Sequence, residues 1–209
     1  MSFSDKFSGE NRDFPGDNKA FRRKKANCKG TGDVVGWRKE GGGGMEIRIE
    51  RREEYSSRRL AAEMLAAAAK TDPKNIRFYR GKNGKPLSDL PYFFNCSHSG
   101  EYVACAVSRR EIGVDLERVR PVHARLLRTL TDREKAWLES LPREEWDRAF
   151  LRLWTMKESW IKCRSGVVWE YKQCNFVEEN GVLSVKPKGY NFTFPATPEG
   201  YVLTVCEKE

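Results

Sequence analysis

The chain of 209 residues contains no run of about 18 uncharged apolar residues, so its hydropathy offers no transmembrane helix. The opening residues, MSFSDKFSGENRDFPGD, are polar and mixed in charge. They lack the apolar stretch of a secretory signal, and a cytoplasmic protein is expected. Histidine is scarce, with His98 and His123 the only two. None of the six cysteines, at 28, 96, 105, 163, 174 and 206, is spaced C-x-x-C. Both facts argue against a zinc site, and reduced thiols serving as small core residues are expected instead. The phosphate signatures G-x-x-x-x-G-K-[ST] and G-x-G-x-x-G are missing, as is the G-x-S-x-G elbow of hydrolases. No short repeat of the solenoid kind is visible.

What is present is charge and aromatic bulk. Lys and Arg outnumber Asp and Glu by 39 to 30, a net charge of +9. That favours an anionic partner without naming one: nucleic acid, an anionic cofactor and an acidic protein all fit. Aromatics at 11% of the chain argue against wholesale disorder. The length suits one large domain or two small ones.

Residues 1–44 read as a separate leader, carrying the basic run Arg22-Arg23-Lys24-Lys25 and ending in Gly41–Gly44. A flexible or partly ordered segment is expected, with Val34, Val35 and Trp37 as a short strand candidate and a nucleic-acid arm as the functional alternative. Met45–Glu50 alternates as a strand. Ser56 to Lys70 turns to Ala, Leu and Met with charges, a helix that Asp72-Pro73 ends. Gly81 to Pro86 is turn chemistry. Tyr92–Ser97 and Tyr102–Val107 read as strands around Gly100, and Gly113–Glu117 as another. Thr131 to Leu141 opens with a capping box, Thr131 and Glu134. From Glu144 to Cys163, Trp146, Phe150, Leu153, Trp160 and Ile161 recur at helical spacing and face a core. Strands are expected again near Asn175–Glu178, Leu183–Lys186 and Tyr201–Cys206. This order implies an α+β chain of two similar halves, 45–110 and 111–209.

Two groups of residues carry possible chemistry. In G-V-D-L-E, Asp115 and Glu117 share one strand face, with Val114 and Leu116 on the other. Two such acids repel unless a cation sits between them, although a solvated strand face has the same pattern. In W-T-M-K-E-S-W-I-K, residues 154–162, Glu158 and Lys162 stack four apart on one helix face. That face lies beside the Phe150–Leu153 stripe and borders the core, which suits a cleft, and an ordinary surface ion pair is the alternative. A third acid joining Asp115 and Glu117 would complete an oxygen set for Mg²⁺. Ser97 and His98 are neighbours on a strand, so they point to opposite faces and form no hydrolase dyad. His98 is a donor to an anion or a structural histidine.

Taken in order, GKP at 84–86, FNCSHSG at 94–100, GVDLE at 113–117 and WTMKESWIK at 154–162 resemble the 4′-phosphopantetheinyl transferase superfamily, in its monomeric, carrier-protein-activating type. The resemblance covers about residues 45–209. It implies one α+β chain of two halves related by a pseudo-two-fold, with coenzyme A in the cleft between them. The implied reaction moves 4′-phosphopantetheine from coenzyme A to a serine of an apo acyl, peptidyl or aryl carrier protein, a holo-[acyl-carrier-protein] synthase activity. Adenosine 3′,5′-bisphosphate is the other product. Carried over by position, Asp115, Glu117 and Glu158 match ligands of Mg²⁺, for which Mn²⁺ can substitute. Lys162 matches the lysine near the pyrophosphate. Ser97 and His98 match contacts to the coenzyme's phosphates, Lys85 and Pro86 the loop at the adenine and 3′-phosphate, and Arg58 a further phosphate contact. Glu158 is expected to be the general base, with Glu117 as rival. No nucleic acid, no membrane and a monomer are expected. The rival readings are a basic nucleic-acid-binding protein and a coenzyme A-binding protein without catalysis.

Overall fold

The computed structural model describes residues 44–177 and 187–209, together with the backbone of two strands, β1 (Phe21–Lys24) and β2 (Val35–Lys39). The chain continues through β3 (Glu46–Arg51) into α1 (Ser57–Ala69). Ser56 starts α1 by accepting the amide of Arg59, and Lys70 ends it in the left-handed conformation. A hairpin follows, β4 (Phe78–Arg80) and β5 (Pro86–Ser88), closed by the Gly81–Pro86 turn. Then come β6 (Phe93–Ser99), β7 (Tyr102–Ser108) and β8 (Ile112–Arg118). Gly100 turns β6 into β7 at φ +53°. Two helices, α2 (Asp132–Glu139) and α3 (Trp146–Cys163), lead to β9 (Tyr190–Thr193) and β10 (Tyr201–Lys208).

The strands form an antiparallel sheet of order β1-β2-β3-β7-β6 and a second of order β8-β10-β9. Alternation along the strands sorts their side chains into layers. Ile47, Ile49, Ala104 and Ala106 of the first sheet meet Val114, Leu116, Leu203 and Val205 of the second. On the outer face of the first sheet, Val103, Cys105 and Val107 pack under Leu60, Met64 and Leu65 of α1. On the outer face of the second, Val202 and Cys206 pack under Phe150, Leu153 and Cys163 of α3. The order is therefore helix, sheet, sheet, helix, a mixed α+β arrangement.

Most expected elements appear within a residue or two. The structure differs in four places. Phe21–Lys24, where no strand was expected, pairs with Val35–Lys39, which takes up the expected strand candidate at Val35 and Trp37, and the two are hydrogen-bonded in series onto β3. Glu144 lies in a short 3₁₀ turn, Arg143–Glu145, and α3 begins only at Trp146. Around Asn175 there is a single bridge at Val177, preceded by a 3₁₀ turn at Val168–Gln173. The short strands β4, β5 and β9 had no alternating signature of useful length. The strand expected at Leu183–Lys186 lies outside the described residues. Five cysteines, Cys96, Cys105, Cys163, Cys174 and Cys206, are free thiols, four of them buried. Among the described residues no helix is long and apolar enough to cross a membrane.

Candidate active site

The two sheets meet at their edges, where β6 and β8 run side by side. No backbone ladder joins them. Alternate side chains of β6 reach across instead. Asn95 Oδ1 accepts the amide of Val114 at 2.9 Å, Ser97 Oγ donates to Asp115 Oδ1 at 2.9 Å, and Ser99 Oγ donates to Glu117 Oε2 at 2.9 Å. The period of two on each strand keeps the three bridges in step. Cys96 and His98 therefore point the other way. Cys96 Sγ lies 3.6 Å from the carbonyl oxygen of Ser57, and His98 is exposed on that face.

Asp115 is buried, while Val114 and Leu116 fill the core beneath it. Over its strand crosses α3, at a separation set by Gly113. A β-carbon there would lie 2.0 Å from the carbonyl oxygen of Ser159 and 2.4 Å from the amide nitrogen of Cys163. Only glycine allows this approach, and it brings one stripe of α3 over the acids. Along that stripe, Trp154, Glu158 and Lys162 recur every four residues. Lys162 Nζ lies 2.6 Å from Asp115 Oδ1 and 3.9 Å from Glu158 Oε2. A cation thus stands between two carboxylates from distant parts of the chain. Asp115 Oδ2 is buried and has no hydrogen-bond partner.

Burial pushes the Asp115 carboxyl up to about 6, with the Glu158 charge adding to the rise and Lys162 opposing it. Glu117 lies one pleat further along, on the same face as Asp115. It is held by Ser99 and, at 3.8 Å, by Arg120. Among the described residues, no three acidic, histidine or cysteine side chains are gathered tightly enough to hold a metal. Asp115 and Glu158 both reach Lys162, and Glu117, on the Asp115 face, is bonded to Ser99 and Arg120. The donor set is nonetheless of the kind Mg²⁺ takes: carboxylate oxygens, one of them with an unused lone pair.

The other expected residues are spread around this centre. Lys85 Nζ donates to the carbonyl oxygens of Ile112, at 3.1 Å, and Cys163, at 2.8 Å. It pins the Gly81–Pro86 turn to the end of α3, and burial lowers its pKa. Pro86 is exposed at the start of β5. Arg58 is exposed in the first turn of α1, with its guanidinium 4.7 Å from the Phe78 ring centroid.

Two features escaped the sequence reading. Glu134, expected only as a capping-box residue, is fully buried and pairs at 2.9 Å with Lys157, whose side chain is 1% exposed. Lys157 Nζ also donates to the carbonyl oxygens of Tyr171 and Cys174, and Glu134 Oε1 accepts the amide of Phe176. These bonds satisfy the pair and fasten residues 171–176 to α3. The second feature is Tyr171 itself, whose hydroxyl donates to Glu158 Oε1. Burial and the Glu158 charge raise its pKa, so it remains a donor. Its signal in the sequence is nil, since one tyrosine in an irregular segment carries no period.

Comparison with known proteins places this geometry in context. The family model described as "4'-phosphopantetheinyl transferase superfamily" matches residues 111–206. The chain is 30% identical over 139 residues to the 4′-phosphopantetheinyl transferase gsp of Aneurinibacillus migulanus, covering 64% of this chain and 59% of that one. It is 31% identical over 157 residues to the 4′-phosphopantetheinyl transferase Sfp of Bacillus subtilis (strain 168), covering 70% of each. It is 34% identical over 168 residues to another 4′-phosphopantetheinyl transferase of Bacillus subtilis, covering 73% of this chain and 75% of that one.

Proposed function

The chain belongs to the 4′-phosphopantetheinyl transferase superfamily, and from that premise we propose that it moves 4′-phosphopantetheine from coenzyme A to a serine hydroxyl of an apo carrier protein, releasing adenosine 3′,5′-bisphosphate. The observation that supports this most is the meeting of Asp115 on β8 with Glu158 and Lys162 on α3, at a buried carboxylate with one oxygen unpaired. The proposed division is two halves, 45–110 and 111–209, related by a pseudo-two-fold, with the coenzyme between them.

Asp115, Glu117 and Glu158 are the residues proposed to hold Mg²⁺ or Mn²⁺. When bound, the ion supplies charge neutralisation on the pyrophosphate. The side chains do the rest. Glu158 takes the proton of the attacking serine, which is a weak nucleophile near neutral pH. Lys162 exchanges its hold on Asp115 for the charge developing on the leaving bisphosphate. Ser97, His98 and Arg58 bind coenzyme phosphates. Lys85 acts by fixing its turn against α3, so that the exposed Pro86 borders the adenine. The carrier is an acyl, peptidyl or aryl carrier protein, and the enzyme acts as a cytoplasmic monomer with holo-[acyl-carrier-protein] synthase activity.

The test is direct. The full chain is incubated with a panel of apo carrier proteins, coenzyme A and Mg²⁺, and the intact carrier mass is read. A gain equal to the phosphopantetheine arm is expected, and it should be lost in Asp115→Ala. No gain on any carrier would overturn the assignment.

A further inference from the structure

Glu158 is gripped from outside its own helix, and the grip comes from a residue that none of the four sequence motifs contains. Tyr171 lies in the 3₁₀ turn Val168–Gln173 that follows α3. Its hydroxyl donates to Glu158 Oε1. Its ring packs on Trp154, one turn before Glu158, at a centroid separation of 5.0 Å and an interplanar angle of 30°. Its own carbonyl oxygen accepts Lys157 Nζ at 2.6 Å, and that ammonium is neutralised by Glu134 at 2.9 Å in the core. The side chain is therefore fixed at the ring, and its backbone is fixed by a buried ion pair.

We propose that Tyr171 is a positioning residue for Glu158: by holding Oε1, it leaves Oε2 as the oxygen turned toward Lys162 and the site. A glutamate without such a partner samples several rotamers, each of which moves the carboxylate by ångströms. A proton acceptor must lie within hydrogen-bond reach of the hydroxyl it serves. Locking one oxygen removes that freedom before substrate arrives, and the other oxygen is presented in one orientation. The anchor is rigid because Tyr171 hangs from the Glu134–Lys157 pair, which couples the site to the packing of α2 against α3. This proposal rests on the role given above to Glu158.

The experiment is Tyr171→Phe in the full chain, alone and combined with Glu158→Ala. Phenylalanine keeps the ring on Trp154 and deletes only the hydroxyl. In urea unfolding, the two substitutions should be non-additive by about tenfold in the unfolding equilibrium constant, since each removes the same charge-assisted bond. In the transfer assay, Tyr171→Phe should lower kcat by about 10- to 100-fold, the range seen when an outer partner of a site residue is lost. KM for coenzyme A and for the carrier should stay within about threefold, because no contact to either is removed. Additive unfolding effects would overturn the proposal, as would a kcat equal to that of the parent. A loss expressed in KM alone would also overturn it. A parent chain with no transfer on any carrier sinks the activity reading instead, and the unfolding cycle then decides whether Tyr171 holds Glu158.

Discussion

Asp115 is a carboxyl held against its preference for water. It is buried, one of its oxygens is unpaired, and its carboxyl is raised from 3.8 to about 6. A carboxyl raised on folding binds its proton more tightly in the native state. Its contribution to stability is complete below about pH 4 and is lost as pH rises through about 6. Urea unfolding between pH 4 and 7 should show that decline, and Asp115→Asn should flatten it. The proposed Mg²⁺ would compete with the same proton, so affinity for the ion should rise over the same interval in calorimetric titration. At Glu158, removal of the proposed base with the shape kept is the informative change. Glu158→Gln should lower kcat by about 10²- to 10⁴-fold with an unaltered far-ultraviolet spectrum. Near-parental turnover would take Glu158 out of the proton transfer. The two acids of GVDLE were legible as sharing one strand face because alternation is a property of the strand itself. That Glu117 turns to Ser99 and Arg120, and not to Asp115, depends on neighbours that no local pattern records.

Among elements, the decisive contact is α3 lying on β8. The helix was legible from its apolar stripe, and the strand from its alternation. Their crossing point was not, although the glycine that permits it stands in the motif. Gly113→Ala would force a β-carbon into backbone atoms of Ser159 and Cys163, which cannot yield as a flexible side chain would. The helix must lift, at a cost of about 3 kcal/mol or more, and Glu158 and Lys162 lift with it. Urea unfolding should register the loss of stability, and the transfer assay a loss of turnover larger than the unfolded fraction explains. The capping box at Thr131 and Glu134 was likewise legible, since it is a local signature. The second task of Glu134, pairing with Lys157, was hidden because the partner lies 23 residues away on another helix.

At the scale of the whole molecule, a net charge of +9 meets carrier proteins that are proposed to be acidic around the modified serine. Long-range attraction then raises the rate of encounter more than the strength of the final complex. Salt shortens the reach of that attraction, from about 10 Å at 0.1 M to about 3 Å at 1 M. Steady-state kcat/KM for the carrier should therefore fall several-fold between about 0.05 and 0.5 M NaCl. The kcat at saturating carrier should change far less. A kcat/KM that ignores ionic strength would remove the charge from the docking step.

By itself the sequence determined the elements and their faces: which segments alternate, which turn at the helical period, where the caps fall, and which side each acid takes. Those are consequences of bond geometry within a few residues. Only the tertiary structure decided which faces meet. It set Asp115 against Lys162 across 47 residues, hung Tyr171 on Glu158, and added β1 and β2 to the sheet beside β3. Such meetings arise from the packing of layers, where each contact depends on the shape of every other, and no short stretch of chain contains that information.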